Sequence, residues 1–161
     1  MRTVTRTTEL AAPAERVWER ATTLAGVNQE LRPILRMTVP RGMSGATLAD
    51  LSPGVPAGRS WLLLGGLIPV DFDDLCLAEI EPPRRFLERS RMATMELWEH
   101  ERVVEPLPGG GCAITDTLGF VLRSPLRMVP GAAALTAAIV TRLFAHRHRR
   151  LVVMHGAPSP R

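Results

Sequence analysis

Two stretches of this chain space side chains so that a regular backbone would bring acid–base or ion-pair groups onto one face. In Val70-Asp71-Phe72-Asp73-Asp74-Leu75-Cys76, an extended backbone places Asp74 with Phe72 and Cys76, and Asp71 and Asp73 with Leu75 on the other side. With the Phe72 face inward, Asp74 is the acid turned toward the interior. There it serves as a general base once burial raises its pKa, or it pairs with an arginine. The other arrangement leaves all three aspartates in water near a hairpin mouth. Alternating faces keep these acids from converging on one ion, so no metal site is expected. The second stretch puts Glu96, Trp98, His100 and Arg102 on one strand face, and Met95, Leu97, Glu99, Glu101 and Val103 on the other. Facing inward, Trp98 and His100 supply an aromatic wall and an imidazole suited to proton transfer near neutral pH. Facing outward, His100 is a surface partner of a neighbouring acid.

Near the C-terminus, Leu135, Ile139, Val140, Leu143, Phe144 and Leu151 form one broad apolar arc on a helical wheel, and Arg147 and Arg150 fall inside it. A buried guanidinium needs a carboxylate or several carbonyls to offset its desolvation. Either one of these arginines holds an anionic ligand group or an inward acid, or the last turns pass the sheet edge and both snorkel to water. The run Arg142 to Arg150 is rich in arginine and histidine, but its charges circle the helix instead of forming a stripe. That favours a solvated helix end, where cations suit the dipole, over a nucleic-acid contact.

The chain has no nucleophile–base–orienter set, phosphate-cradling glycine loop or metal-ligand spacing that can be read from sequence, and no cofactor is expected. Cys76 and Cys112 are far apart among apolar neighbours and read as small buried fillers. All twenty basic residues are arginine and the formal charge is +4, a weak argument for a polyanion partner. Tyrosine is absent and aromatics make up 4%, which disfavours a site built by stacking on bases. Hydrophobic residues, 45% of the 161, come in short blocks with no membrane-spanning run. The start of the chain lacks a secretory pattern, so no membrane insertion and a cytoplasmic location are expected.

The elements that must position these groups follow from pattern and punctuation. An alternating, threonine-rich strand over Met1–Glu9 enters a helix through Pro13, with Val17, Trp18, Ala21 and Leu24 on its inner face. Gly26 is expected to end that helix, and Asn28–Leu31 to make a short second turn before Pro33. The stretch Arg41–Gly58 reads as loop. Strands are expected at Arg59–Leu64, Ile68–Glu81, Phe86–Met92, Met95–Glu105 and Cys112–Leu122, with turns at Gly65-Gly66, Pro82-Pro83 and Gly109–Gly111. A long helix runs from Pro130 to about Met154. The order is α+β, with helices segregated from an antiparallel sheet. One domain over 1–155 and a frayed tail over 156–161 are expected, and an exposed edge strand makes a homodimer reasonable.

This order, the entry from Thr8 through Pro13 to the Val17-Trp18 pair, and the phrases Trp98 to Arg102 and Leu143 to Leu151 resemble the START/Bet v 1-like superfamily. The likeness covers about Val4 to Val153. It implies a helix-grip fold, a curved sheet of about six or seven strands around the long C-terminal helix, with a cavity between them. It also places Asn28, Glu30 and Arg36 where members of the superfamily form the cavity entrance, although polar groups at a short helix end are often caps and surface pairs. Members include carriers, cyclases, dehydratases and receptors, so the fold does not choose a function. The residues favour binding of a hydrophobic small molecule, lipid or polyketide-like, without catalysis. Asp74, Phe72, Trp98, His100, Leu143, Arg147, Arg150 and Glu30 are the candidate contacts, and Met37, Met92, Met95 and Met128 an adaptable wall. The alternatives are a cyclase or dehydratase using His100 with an inward acid, and an interaction module using the basic helix end.

Overall fold

Backbone alternation and turn glycines build most of the molecule. The computed structural model describes residues 1–41 and 43–158. Strand β1 (Arg2–Leu10) leads through Pro13 into α1 (Ala14–Ala21) and α2 (Leu24–Leu31). A three-residue strand, β2 (Leu35–Met37), is followed by β3 (Pro56–Leu64), β4 (Ile68–Glu81), β5 (Arg85–Met92), β6 (Met95–Pro106) and β7 (Cys112–Leu122). Helix α3 (Ala132–His155) closes the chain. The seven strands form one antiparallel sheet in the order β1-β7-β6-β5-β4-β3-β2, curled into a half-barrel around α3. This is the α+β helix-grip fold expected from the sequence.

The expected turns are present. Gly65 and Gly66 have φ of 59° and 80°, the left-handed pair that a tight β3–β4 hairpin requires. Two local expectations need correction. Gly26 does not end a helix: it lies in the first turn of α2, which Thr23 caps by accepting from the Gly26 N–H at 3.0 Å. The α1–α2 corner is so tight that a Cβ at position 26 would sit 1.9 Å from the Arg20 carbonyl oxygen. The 41–58 stretch is also not all loop, for it contains a 3-10 turn at Leu48–Asp50 and the start of β3. Its position 42 lies outside the described residues, as do 159–161 of the expected tail.

The inward residues of the half-barrel fall into successive zones along α3. At one end Leu10, Val17, Trp18, Leu77, Val104, Ile114 and Leu151 pack into a closed apolar cluster. On β6 the inward positions then run Val104, Arg102, His100, Trp98, from that cluster through two polar residues to an open cavity. Helix α3 matches this, with Leu151 in the apolar cluster, His148 and Arg147 beside the polar pair, and Phe144 and Val140 at the cavity. The predicted helical arc is therefore shifted. Leu135 is 64% exposed, and the buried stripe is Val140, Phe144, Arg147, His148 and Leu151.

Candidate functional site

The polar middle zone is a closed set of ion pairs. Arg102 on β6 and Asp116 on β7 are direct cross-strand partners, and both are fully buried. Arg102 donates to the two Asp116 oxygens through Nε at 2.7 Å and Nη2 at 2.8 Å, and to the two Glu30 oxygens through Nη1 at 2.8 Å and Nη2 at 2.9 Å. Arg147 reaches Glu30 Oε2 from the other side, with Nε at 3.0 Å and Nη2 at 2.7 Å. Two carboxylates and two guanidiniums thus balance in charge, each guanidinium donating at least two hydrogen bonds. Burial alone would raise the Glu30 carboxyl, but Arg102 and Arg147 outweigh it and hold it below its ordinary value. Burial likewise opposes ionisation of Asp116, and Arg102 with His100 holds that carboxyl well below the usual range.

Asp116 also organises two imidazoles. It accepts from His100 Nε2 at 2.9 Å and from His148 Nε2 at 3.0 Å, which fixes the proton of each ring on Nε2 because a carboxylate only accepts. His148 Nδ1 is left to accept from the Thr8 hydroxyl at 2.8 Å. His100 is wedged edge-on between Phe86 and Phe144, with ring centroids 5.4 and 5.3 Å away. Its Nδ1 is turned toward Glu88 Oε2, 3.9 Å away.

Beyond His100 the half-barrel opens into a cavity of about 260 Å³ between the sheet, α2 and α3. Its walls are mainly apolar: Val27 and Leu31 of α2, Leu62, Met92, Met95 and Trp98 of the sheet, and Val140, Leu143 and Phe144 of α3. Met43, Thr47 and Leu48 cover one side, held there because the Leu48 N–H donates to the Thr22 carbonyl at 2.9 Å. Asp73, Glu88 and His100 of the sheet and Arg147 of α3 add charge-bearing or titratable groups to the lining. Burial, together with the neighbouring Glu88 carboxyl, pushes the Asp73 carboxyl well above the usual carboxylate range. Among the described residues no three metal-ligating side chains converge on one point.

The model of the Domain of unknown function DUF8410 matches residues 8–155. The chain belongs to the DUF8410 family. Among curated protein sequences none matches it. The DUF8410 fold is similar to several solved structures. CV1439 from Chromobacterium violaceum aligns with a TM-score of 0.70 at 14% identity, covering 98% of this chain and 100% of the other. The Zhui aromatase/cyclase from Streptomyces sp. R1128 gives 0.69 at 18%, covering 95% and 92%. A START superfamily protein from Mycobacterium smegmatis gives 0.57 at 16%, covering 92% and 98%. At these identities the likeness establishes the START-like fold.

The structure separates the candidate residues into groups. Trp98, His100, Leu143 and Arg147 line the DUF8410 cavity. Asp74 and Phe72 do not face it, which corrects the inward parity expected for β4. Arg59 holds Asp74 at 2.7 and 2.9 Å and lies over the Phe72 ring at 3.6 Å, and Trp61 packs edge-on to that ring, all on the outer face. The physical reason is that Leu75 and the fully buried Leu77 share the parity of Asp73 and carry that row inward. Glu30 is not at an entrance but buried beneath Arg102 and Arg147. Asn28 clamps β2 instead, donating to the Met37 carbonyl at 2.9 Å and accepting its N–H at 2.7 Å. Arg150 donates to the Gln29 carbonyl at 3.3 Å and is not among the cavity-lining residues. Arg147, expected either at a ligand or in water, is buried on Glu30.

Sequence reasoning missed Asp73, Glu88, Asp116 and His148. A signal for Asp116 was present: Cys112, Ile114, Asp116, Leu118, Phe120 and Leu122 alternate as one buried row, and an acid in the middle of it demands partners.

Proposed function

We propose that this protein binds an apolar small molecule, of lipid or polyketide-like character, in the cavity between the sheet and α3. The observation that carries this reading is the cavity itself. It is a mainly apolar chamber of about 260 Å³ with a few polar groups among its lining residues, the general form of a small-molecule site. The charge-balanced ion-pair layer behind it forms the polar end of the chamber. Native mass spectrometry of the purified protein, with extraction of whatever co-purifies, tests the reading. A stoichiometric apolar ligand, lost when Leu143→Trp fills the chamber, is the expected result. If the protein arrives empty and no lipid or aromatic in a thermal-shift panel raises its melting temperature, the reading fails.

A second reading, a cyclase or dehydratase, is favoured by one specific feature. Asp116 fixes the tautomer of His100 so that the Nδ1 lone pair is available at the cavity wall, the arrangement a general base requires. The fold likeness to an aromatase/cyclase makes poly-β-carbonyl compounds the substrates to try. A cyclised or dehydrated product formed by wild type and absent with His100→Gln supports catalysis; tight binding with unchanged ligand supports carriage.

A further inference from the structure

The polar groups around the cavity can be sorted by what is already committed. Thr22 Oγ1 donates to the Trp18 carbonyl at 3.0 Å, and Thr23 Oγ1 donates to the Arg20 carbonyl at 2.9 Å. Thr47 Oγ1 donates to Asp50 at 2.9 Å. Asp71 accepts from the N–H groups of Phe72 and Ala93, each at 2.8 Å, and from the Thr94 hydroxyl. The charge of Arg147 is matched by Glu30, and its guanidinium lies over the Phe144 ring, leaving Nη1 as its one uncommitted nitrogen. His100 Nε2 is spent on Asp116.

What remains is acceptor capacity. Asp73 is 4% exposed, lines the cavity, and its Oδ1 is buried without a hydrogen-bond partner. Beside it Glu88 accepts from the Ser90 hydroxyl through Oε1 at 2.7 Å, has Oε2 3.9 Å from His100 Nδ1, and lies close enough to the Asp73 carboxyl to accept its proton. An orphaned buried oxygen costs free energy unless a donor reaches it, and an apolar chamber leading to it offers a ligand the chance to supply one. A carboxylate head placed there would meet two carboxyl groups and no unmatched cation.

We propose that the cavity selects an apolar molecule ending in a hydrogen-bond donor, a hydroxyl or an ammonium group, which it presents to Asp73 Oδ1 and Glu88 Oε2, and that it rejects one ending in a carboxylate. This inference rests on the cavity being an apolar ligand site. The test is isothermal titration at neutral pH with 1-octanol, octylammonium and octanoate, probes that share one tail. Octanol or octylammonium should bind at least about tenfold tighter than octanoate, because a carboxylate there leaves the buried oxygen unmet. Asp73→Leu should reduce that ratio to less than about threefold without weakening octanoate. Asp73→Asn keeps a donor toward Glu88 and an acceptor oxygen for the ligand, so it should retain octanol binding and lose any advantage of octylammonium; this separates the two donor classes, and it serves if the leucine variant does not fold. Octanoate binding as tightly as the other two would overturn the donor inference and leave the cavity reading intact. Failure of all three to bind would remove both.

Discussion

Among the described residues Arg102 is the one side chain that hydrogen-bonds both Glu30 and Asp116, with four hydrogen bonds spread over Nε, Nη1 and Nη2. Its removal strands Glu30 and Asp116 together in a buried layer, where each had been offset by the guanidinium. Arg102→Met should therefore destabilise the protein by about 3–5 kcal/mol in urea denaturation, the range for breaking a buried pair from one side. Arg59→Ala, which breaks an ion pair whose side chains are 47% and 40% exposed, should cost less than about 1 kcal/mol. Comparable losses for the two variants would mean that the layer is not the keystone the geometry makes it. The contrast also explains what was legible at this scale. Strand parity alone puts Trp98, His100 and Arg102 on one face, and the structure places that face inward. Glu30 meets Arg102 across 72 residues and Arg147 across 117, pairings no local periodicity can announce. Asp74 faces inward only if the Phe72 face does, and the outer face of the half-barrel shelters that ring under Arg59 and beside Trp61, which leaves Asp73 as the inward acid.

Elements were easier to read than contacts because their boundaries are written in residues with fixed backbone behaviour. The Gly65-Gly66 and Gly109–Gly111 turns and the Pro82-Pro83 break bracket β3 to β7 almost where expected, and the unbroken run after Pro130 gives α3. Gly26 misled because a glycine has two uses near a helix: it can end one by turning left-handed, or it can let two backbones touch. Here the second applies, with the Arg20 carbonyl in the place a Cβ would take. In an ordinary helical position alanine for glycine gains up to about 1 kcal/mol. Gly26→Ala should have the opposite sign and cost more than about 2 kcal/mol, as forced overlap with backbone does, lowering the thermal midpoint by several degrees. It should also loosen the cover of the cavity, since Leu48 hangs on the Thr22 carbonyl at the same corner. A Gly26→Ala protein as stable as wild type would show that the corner relaxes freely.

Across the whole molecule, the buried carboxyl groups pull the pH dependence of stability in opposite directions. Asp116, and to a lesser degree Glu30, have folded-state pKa values below the ordinary 3.8 and 4.5. Their stabilisation is fully present above those ordinary values and is lost as pH falls toward the depressed folded ones, because the unfolded chain then binds the proton first. Asp73 behaves the other way. Its folded pKa is raised above 3.8 by burial and by Glu88, with Ser90 and Asp74 the other groups acting on it and His100 facing Glu88 across the wall. The folded state holds that proton after the unfolded chain has released it, so stability declines as pH rises through the interval above 3.8. These carboxyl groups taken together favour mildly acidic solution, while His155, whose burial lowers its pKa, favours the neutral side. Asp73→Asn, which cannot ionise, should remove the decline that Asp73 causes on the alkaline side, raise the urea midpoint at neutral pH, and leave the acid limb unchanged. Urea midpoints measured from acid to neutral pH on both proteins decide this, and parallel curves would show that Asp73 is an ordinary ionised carboxylate.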